Sequence, residues 1–190
     1  MATKYLGAQI DIHGGGTDLI FPHHSCEIAQ SENATGQRPF VRQWMHAAMV
    51  ALNGVKMSKS LGNLIIVHQL LTSYTPDAVR VLLANHHYRQ NWEYFVADMV
   101  EAQAIADRLL LAATGETVEH PAEVVATTAQ LAHTFTAALD NDLDTPAALA
   151  TLDTLARHIL AGDIPATELP HARGKLRQLA NILGVELQRA

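Results

Sequence analysis

Cysteine is almost missing from this chain, since Cys26 is the only one among 190 residues. A single thiol excludes a disulfide within the chain, so the cysteine content does not indicate secretion. Long apolar runs are missing as well, and none approaches the roughly 18 residues that a membrane helix requires. We therefore expect a soluble, cytoplasmic protein.

Charge is also sparse. Asp, Glu, Lys and Arg make up 17% of the residues, and the formal net charge is −6. An acidic balance excludes a protein that coats nucleic acid with a broadly basic surface, although it permits a local basic loop. The hydrophobic fraction of 48% is sufficient for a buried core and excludes a disordered chain.

The first third of the sequence predicts mixed α/β structure. Residues 9–13 alternate polar and apolar side chains, which is typical of a half-buried strand, and the glycines at 14–16 predict a turn. Asp18 followed by Pro22 predicts a helix entry with the proline in its first turn. Asn53-Gly54 predicts a hairpin, and residues 55–63 predict a loop.

The remainder predicts helices. Thr75-Pro76-Asp77 supplies an N-cap, a proline at the first helical position and an acid for a helix reaching about residue 86. Further helices are predicted at 96–113, beyond a linker at 115–121, after Thr145-Pro146, and at the C-terminus. The last three have apolar stripes at helical spacing, formed by Val125, Ala132, Phe135, Leu139, Leu149, Leu152, Ala156, Ile159, Leu160, Leu176, Leu179 and Leu183. We predict a partial Rossmann-like α/β segment at 1–75 and an α-helical bundle at 76–190, with α-helix predominating.

Residues 56–60 read Lys-Met-Ser-Lys-Ser. Two ammonium groups flanked by hydroxyl groups suit a mobile loop that closes over a polyphosphate. From the spacing alone, an ordinary solvated basic loop is the favoured explanation of the pattern.

A second candidate site lies near the N-terminus. His23 and Glu27 are four residues apart, so on a helix both side chains project from one face and can bind zinc, with His24 or Cys26 as further ligands. An ordinary surface ion pair is the alternative. Asp11-Ile12-His13 places a carboxylate and an imidazole at a strand end, where open α/β sheets bind ligands, or the glycines simply form a turn.

Taken together, these motifs resemble cysteinyl-tRNA synthetase, a class I aminoacyl-tRNA synthetase. The matching segments are DIHGGGTDLIFPHH at 11–24, EIAQSE at 27–32, WMH at 44–46, KMSKSLGN at 56–63 and HYR at 87–89. The cysteine ligase of mycothiol synthesis shares much of the pattern, but it differs at His13 and lacks EIAQSE.

The resemblance implies ATP, cysteine and tRNA as ligands. Lys56 and Lys59 match the lysines that neutralise ATP phosphates, with Ser58 between them. Trp44 and His46 match the adenylate side of the pocket, and His13 matches a histidine near the thiol pocket. In the family, zinc binds the cysteine thiolate through two cysteines, a histidine and a glutamate. His23 and Glu27 match the last two, and the helical bundle resembles the family's tRNA-contacting region.

The chain also departs from the family pattern. The 190 residues contain neither the HIGH-type signature nor the two zinc cysteines, and Ser25-Cys26 stands where the family usually has Glu-Asn. We therefore expect zinc to be held weakly, if at all, and activity to be absent in the chain alone. Two alternatives remain: a non-catalytic paralogue that binds tRNA, nucleotide or protein, and a structural subunit that dimerises or pairs with a separate N-terminal half. The acidic net charge argues against a general tRNA clamp.

Overall fold

The computed structural model of the chain describes residues 2–115 and 126–188. The described residues divide into two compact units, and the chain passes between them more than once. The first unit contains the residues up to Met57 together with Tyr88–Glu93, and the second contains Ser58–His87 and the residues from Tyr94 onward. The predicted division at residue 75 stays a prediction.

The first unit is built on two small sheets. In chain order its elements are α1 (Ala2–Leu6), β1 (Ile10–Gly16), a 3₁₀ turn (Thr17–Leu19), a wide helical turn (Ile20–His24), α2 (Ser25–Thr35), β2 (Val41–Ala47), β3 (Val50–Leu52), β4 (Val55–Lys56) and β5 (Trp92–Glu93). Strands β1 and β2 run parallel, with His13 beside Trp44 and Gly15 beside His46. The second sheet has the order β4-β3-β5, with β3 antiparallel to β4 and parallel to β5.

A small apolar core holds β1 and β2 together. Ile10, Phe40 and Val41 are buried, and Ile28 of α2 and Trp44 of β2 pack against them. The backbone amide of Ile10 donates to the carbonyl of Phe40 at 2.9 Å, so the parallel ladder begins at this core. The burial fixes which residues of β1 and β2 are neighbours at the other, carboxyl end of the strands.

The second unit is helical. Its elements are α3 (Val67–Leu70), α4 (Pro76–Ala84), α5 (Val96–Ala113), α6 (Ala126–Asp140), α7 (Thr145–Ala161) and α8 (Leu169–Ile182). Helix α7 packs against α4, α5, α6 and α8, so it is the centre of the bundle. Its buried residues Leu149, Leu152, Leu155 and Ile159 recur at the spacing of one helix face. The fold class is therefore as predicted, an α/β segment with a predominantly helical remainder.

Several local predictions are confirmed. Thr75 caps α4, because its hydroxyl accepts from the amide of Ala78 at 3.2 Å. Asn53 and Gly54, at φ 54° and 74°, form the predicted hairpin turn between β3 and β4. Helix α5 has the bounds expected from its apolar pattern. The predicted linker at 115–121 lies outside the described residues from 116 onward, as does Val125.

Other local predictions are wrong. Strand β1 continues through Gly16 instead of turning at the glycines, because its pairing with β2 extends to Ala47. The helix entry, by contrast, agrees with its prediction: Phe21 has extended backbone, and helical backbone runs from Pro22 into α2, so the proline lies in the first turn. Lys56 belongs to strand β4, and the loop begins after it.

Two helix ends also differ from the prediction. Helix α4 ends at Ala84, two residues before the predicted end. The N-cap of α7 is Asp144 rather than Thr145, because the Asp144 carboxylate accepts from the amide of Ala147 at 3.1 Å.

Candidate functional site

Aromatic rings gather on one face of the parallel pair β1–β2. The ring of His13 lies 4.9 Å from that of Trp44, its neighbour across the ladder. Trp44 also stacks on His46, with ring centroids 5.9 Å apart and nearly parallel planes. Because residues two apart in a strand share a face, the sequence Trp44-Met45-His46 directs its two rings to the same side. The sheet thus presents His13, Trp44 and His46 together.

Glu27 contacts two histidines, one on strand β1 and one four residues before it in sequence. Its Oε2 atom is 3.3 Å from Nε2 of His13, on strand β1, and its Oε1 atom is 3.5 Å from Nε2 of His23. The contact with His23 follows from the four-residue spacing. The contact with His13 depends on how α2 packs near β1 and could not be inferred from spacing.

A metal ion would find suitable donors here. Ligand atoms of His13, His24 and Glu27 all lie within 4.8 Å of one another. Oε2 of Glu27 is buried, and no hydrogen-bond donor of the described residues satisfies it. Imidazole nitrogens with a carboxylate oxygen are a donor set that zinc accepts, so the residues fit the metal. Of the other suggested ligands, Cys26 is exposed on α2, and neither Cys26 nor His23 belongs to this group.

His24 is the buried member of the cluster. Burial lowers the pKa of His24, and the neighbouring His13 and His46 lower it further. Its Nδ1 atom shares a hydrogen bond of 2.8 Å with Nε2 of His46. A low pKa keeps the imidazole neutral, which is the form that can bind a metal.

Gly15 allows the His24 ring to lie close against strand β1. A Cβ atom at Gly15 would lie 2.7 Å from Cε1 of His24, closer than real side chains approach. The glycine run therefore serves close packing against an imidazole rather than a turn.

A second charged contact lies at the carboxyl end of β1. Lys56 donates to Oδ2 of Asp18 at 2.6 Å, and the two residues are 38 positions apart in sequence. The hydrogen bond from Lys56 lowers the pKa of the Asp18 carboxyl. Sequence reasoning assigned Lys56 to phosphate binding but treated Asp18 only as a helix entry. The available signal was a carboxylate placed directly after a glycine-rich strand end.

From Ser58 onward, the KMSKS segment belongs to the second unit. There the amide of Ser58 donates to Oδ1 of Asn63 at 2.9 Å, and the hydroxyl groups of Ser58 and Ser60 are 3.2 Å apart. Lys59 is exposed in this turn. The segment is thus a hydrogen-bonded turn that presents an ammonium group to solvent.

Comparison with known protein families places this geometry in context. Residues 1–104 match the model of the class I (C) tRNA synthetase catalytic domain, and residues 134–188 match the DALR domain. Because the first match covers more than half of the chain, this chain belongs to the class I (C) tRNA synthetase catalytic domain family.

Bacterial cysteine–tRNA ligases are similar to nearly the whole chain. The chain is 45% identical over 188 residues to the cysteine–tRNA ligase of Pseudomonas paraeruginosa strain PA7, covering 97% of this chain and 39% of that protein. It is 41% identical over 187 residues to the cysteine–tRNA ligase of Dehalococcoides mccartyi strain BAV1, covering 98% of this chain and 41% of that protein. The chain thus spans about two fifths of the length of these relatives.

The fold also has a counterpart among solved structures. One match is a chain in the crystal structure of the ternary complex of Agrobacterium radiobacter K84 agnB2 LeuRS with tRNA and LeuAMS. The TM-score is 0.67 and the sequence identity is 17%. The match covers 93% of this chain and 26% of the other. At this identity the likeness concerns the fold alone. No helix of the described residues has both the length and the hydropathy needed to cross a membrane.

Proposed function

We propose that this chain is part of an ATP-dependent cysteine–tRNA ligase, which activates cysteine as its adenylate and transfers it to tRNA. The observation that carries this proposal is the 45% identity to a cysteine–tRNA ligase over nearly the whole chain. The family match through residue 104 supports the same class of reaction. Class I synthetases use ATP, so a nucleotide site is part of the proposal.

The candidate residues divide into two groups by chemistry. Lys56, Lys59 and Ser58 supply donors for the phosphates of ATP, since ammonium and hydroxyl groups stabilise phosphate charge. Trp44 and His46 are proposed for the adenylate side, and His13 for the thiol side of the pocket. The parallel rings of Trp44 and His46 support this, because a base can stack on an aromatic ring face.

Zinc is proposed as the group that selects the cysteine thiolate. His23 and Glu27 are its proposed ligands, and His24 or Cys26 is a further candidate. The unsatisfied Oε2 of Glu27 beside His13 supports a ligand set that includes His13. Lacking two thiolate ligands, such a site holds zinc weakly.

The 190 residues by themselves are proposed to lack ligase activity. They contain no HIGH-type signature, and loss of one preorganised donor alone costs about 100- to 1000-fold in rate. A cytoplasmic location follows from the proposed role in protein synthesis. A non-catalytic module that binds tRNA, nucleotide or protein is the alternative outcome, and no observation favours it.

The experiment measures ATP binding and cysteine–tRNA ligation separately. Titration with ATP should show binding that weakens several-fold in Lys59→Ala, because one phosphate-neutralising charge is removed. Lys4→Ala, which removes an exposed lysine from α1, is the matched control and should bind like the unaltered chain.

Ligation is then assayed with cysteine, ATP and tRNA, with and without the N-terminal part of a cysteine–tRNA ligase. Activity is expected only when that part is present. ATP binding that is indifferent to Lys59, together with no ligation under either condition, would favour the non-catalytic module.

A further inference from the structure

The carboxylate of Asp18 forms an ion pair with Lys56, the first lysine of the KMSKS segment. The Lys56 ammonium and Oδ2 of Asp18 are 2.6 Å apart, a short charge-assisted hydrogen bond. About half of each side chain is exposed, at 43% for Lys56 and 47% for Asp18. The pair is therefore open to solvent, and a dissolved anion can reach the ammonium group.

Both partners are attached to backbone that is itself held in place. Lys56 pairs with Ala51 in the ladder of β3 and β4, and the next amide, that of Met57, donates to the carbonyl of Val50 at 2.9 Å. Asp18 lies in the 3₁₀ turn directly after β1. Exchange of the Lys56 ammonium between acceptors thus requires only rotation of a flexible side chain.

Gly16 provides the space that the carboxylate fills. A Cβ atom at Gly16 would lie 2.5 Å from Oδ1 of Asp18, so any larger residue there would require the carboxylate to shift. Glycine as the last residue of β1 therefore leaves open the space in which the Asp18 carboxylate lies.

We propose that Asp18 is a positioning residue that holds Lys56 in the ligand-free chain and releases it when a polyphosphate binds. The inference rests on the proposed role of Lys56 in phosphate binding. A carboxylate and a phosphate compete for the same ammonium group, because each satisfies its charge and its donors. Asp18 therefore weakens binding of polyphosphate at this site by the strength of the contact that must be broken.

The first measurement uses the ligand-free chain. The Asp18 carboxyl is titrated by NMR in the unaltered chain and in Lys56→Met. Loss of the ammonium should raise the pKa of Asp18 towards its ordinary value, since the Lys56 hydrogen bond is its largest cause of lowering. An unchanged titration would overturn the proposal, because the contact would then be absent in solution.

The second measurement is binding of inorganic tripolyphosphate to the full chain. Asp18→Asn should bind about two- to fivefold more tightly than the unaltered chain, the range expected for an exposed ion pair. Asp11→Asn is the matched control, because Asp11 is an exposed carboxylate of β1 that faces Arg42 at 3.6 Å instead of Lys56. It should change affinity less than Asp18→Asn does.

The double variant Asp18→Asn with Lys56→Met separates positioning from a general charge effect. It should bind tripolyphosphate no better than Lys56→Met alone. Equal gains from Asp18→Asn and Asp11→Asn, or a gain from Asp18→Asn that persists without Lys56, would overturn the proposal.

The outcomes also separate this inference from the proposed function. Binding that depends on Lys59 but is indifferent to Asp18 would leave the ligase proposal standing and overturn this one. Tighter binding by Asp18→Asn without ligation in the reconstituted assay would do the reverse. Absence of tripolyphosphate binding in every variant would overturn the release proposed here.

Discussion

His171 is a buried histidine of α8, and its surroundings disfavour the protonated form. Among the described residues, neither ring nitrogen of His171 has a hydrogen-bond partner. Burial lowers the pKa of His171, and Lys175 lowers it further, although Glu168 opposes them. The folded chain therefore binds fewer protons than the unfolded chain as pH falls below about 6.5. We predict that the free energy of unfolding is largest above that pH and decreases as pH falls from about 6.5 towards the lowered pKa.

The measurement is denaturant unfolding between pH 7.5 and pH 5, on the unaltered chain and on His171→Gln. The glutamine variant should show a shallower loss of stability on acidification, because the titrating group is gone. His68→Gln, which removes an exposed histidine of α3, should retain the full slope. An equal slope in all three proteins would contradict this assignment.

Weak zinc binding is expected at Glu27 and its histidines. Purified chain should contain well under one zinc per molecule by elemental analysis, because no thiolate accompanies the imidazoles and the carboxylate. Whatever zinc is bound should be lost in the double variant His23→Ala, Glu27→Ala, while Cys26→Ser should retain it if His13 and His24 complete the site. Near-stoichiometric zinc that disappears in the double variant would contradict the expected weakness.

At the scale of elements, the start of α7 separates two adjacent candidate caps. Asp144 accepts the amide of Ala147 at 3.1 Å, whereas Thr145 is already the first helical residue. Asp144→Ala should lower the free energy of unfolding by about 1 kcal/mol, and Thr145→Ala should change it much less. Chemical denaturation of both variants measures the difference. Equal losses would mean that the cap is shared.

Elements whose ends are decided by neighbouring residues are predictable from sequence. Thr75-Pro76-Asp77 begins α4 as expected, because capping is decided by groups within a few residues of each other. The hairpin at Asn53-Gly54 was predictable for the same reason, since both residues adopt the positive φ that this turn requires.

Non-local contacts explain what the sequence did not predict. Glycines usually indicate a turn, but Gly14–16 continue β1 because β2 pairs with them across the sheet. Likewise, His23 near Glu27 follows from helical spacing, whereas His13 near Glu27 and Asp18 near Lys56 follow from packing between distant segments. The motifs were predictable, but which motif contacts which was not.

For the whole molecule, apolar exposure around β1 predicts self-association. Ile12 is 67% exposed and Phe21 is 76% exposed, and among the described strands β1 and β2 pair only with each other. Open strand edges and exposed apolar side chains favour pairing with another chain. We predict a homodimer through this flank, since a symmetric dimer is the commonest oligomer, with a separately supplied N-terminal half as the other occupant.

Sedimentation at micromolar concentration measures the association. Ile12→Lys should shift the chain towards the 20.6 kDa monomer. Leu111→Lys places the same charge at a 61% exposed leucine of α5 and should leave the distribution unchanged. A monomer that stays soluble without any substitution would contradict the prediction.

The first unit is discontinuous in sequence, and this constrains how it can be made or divided. Strand β5 pairs with β3, and the amides of Ala48 and Met49 donate to the carbonyl of Tyr88 and the side chain of Asn91. A gene fragment ending at residue 75 would omit all of these partners and leave β3 paired with β4 alone. On the ribosome, the first 57 residues likewise emerge well before β5, with the end of the KMSKS segment and α4 translated in between. The unit can therefore close only after a helix of its neighbour has been synthesised, so the shortest fragment that preserves it ends at Glu93 or beyond.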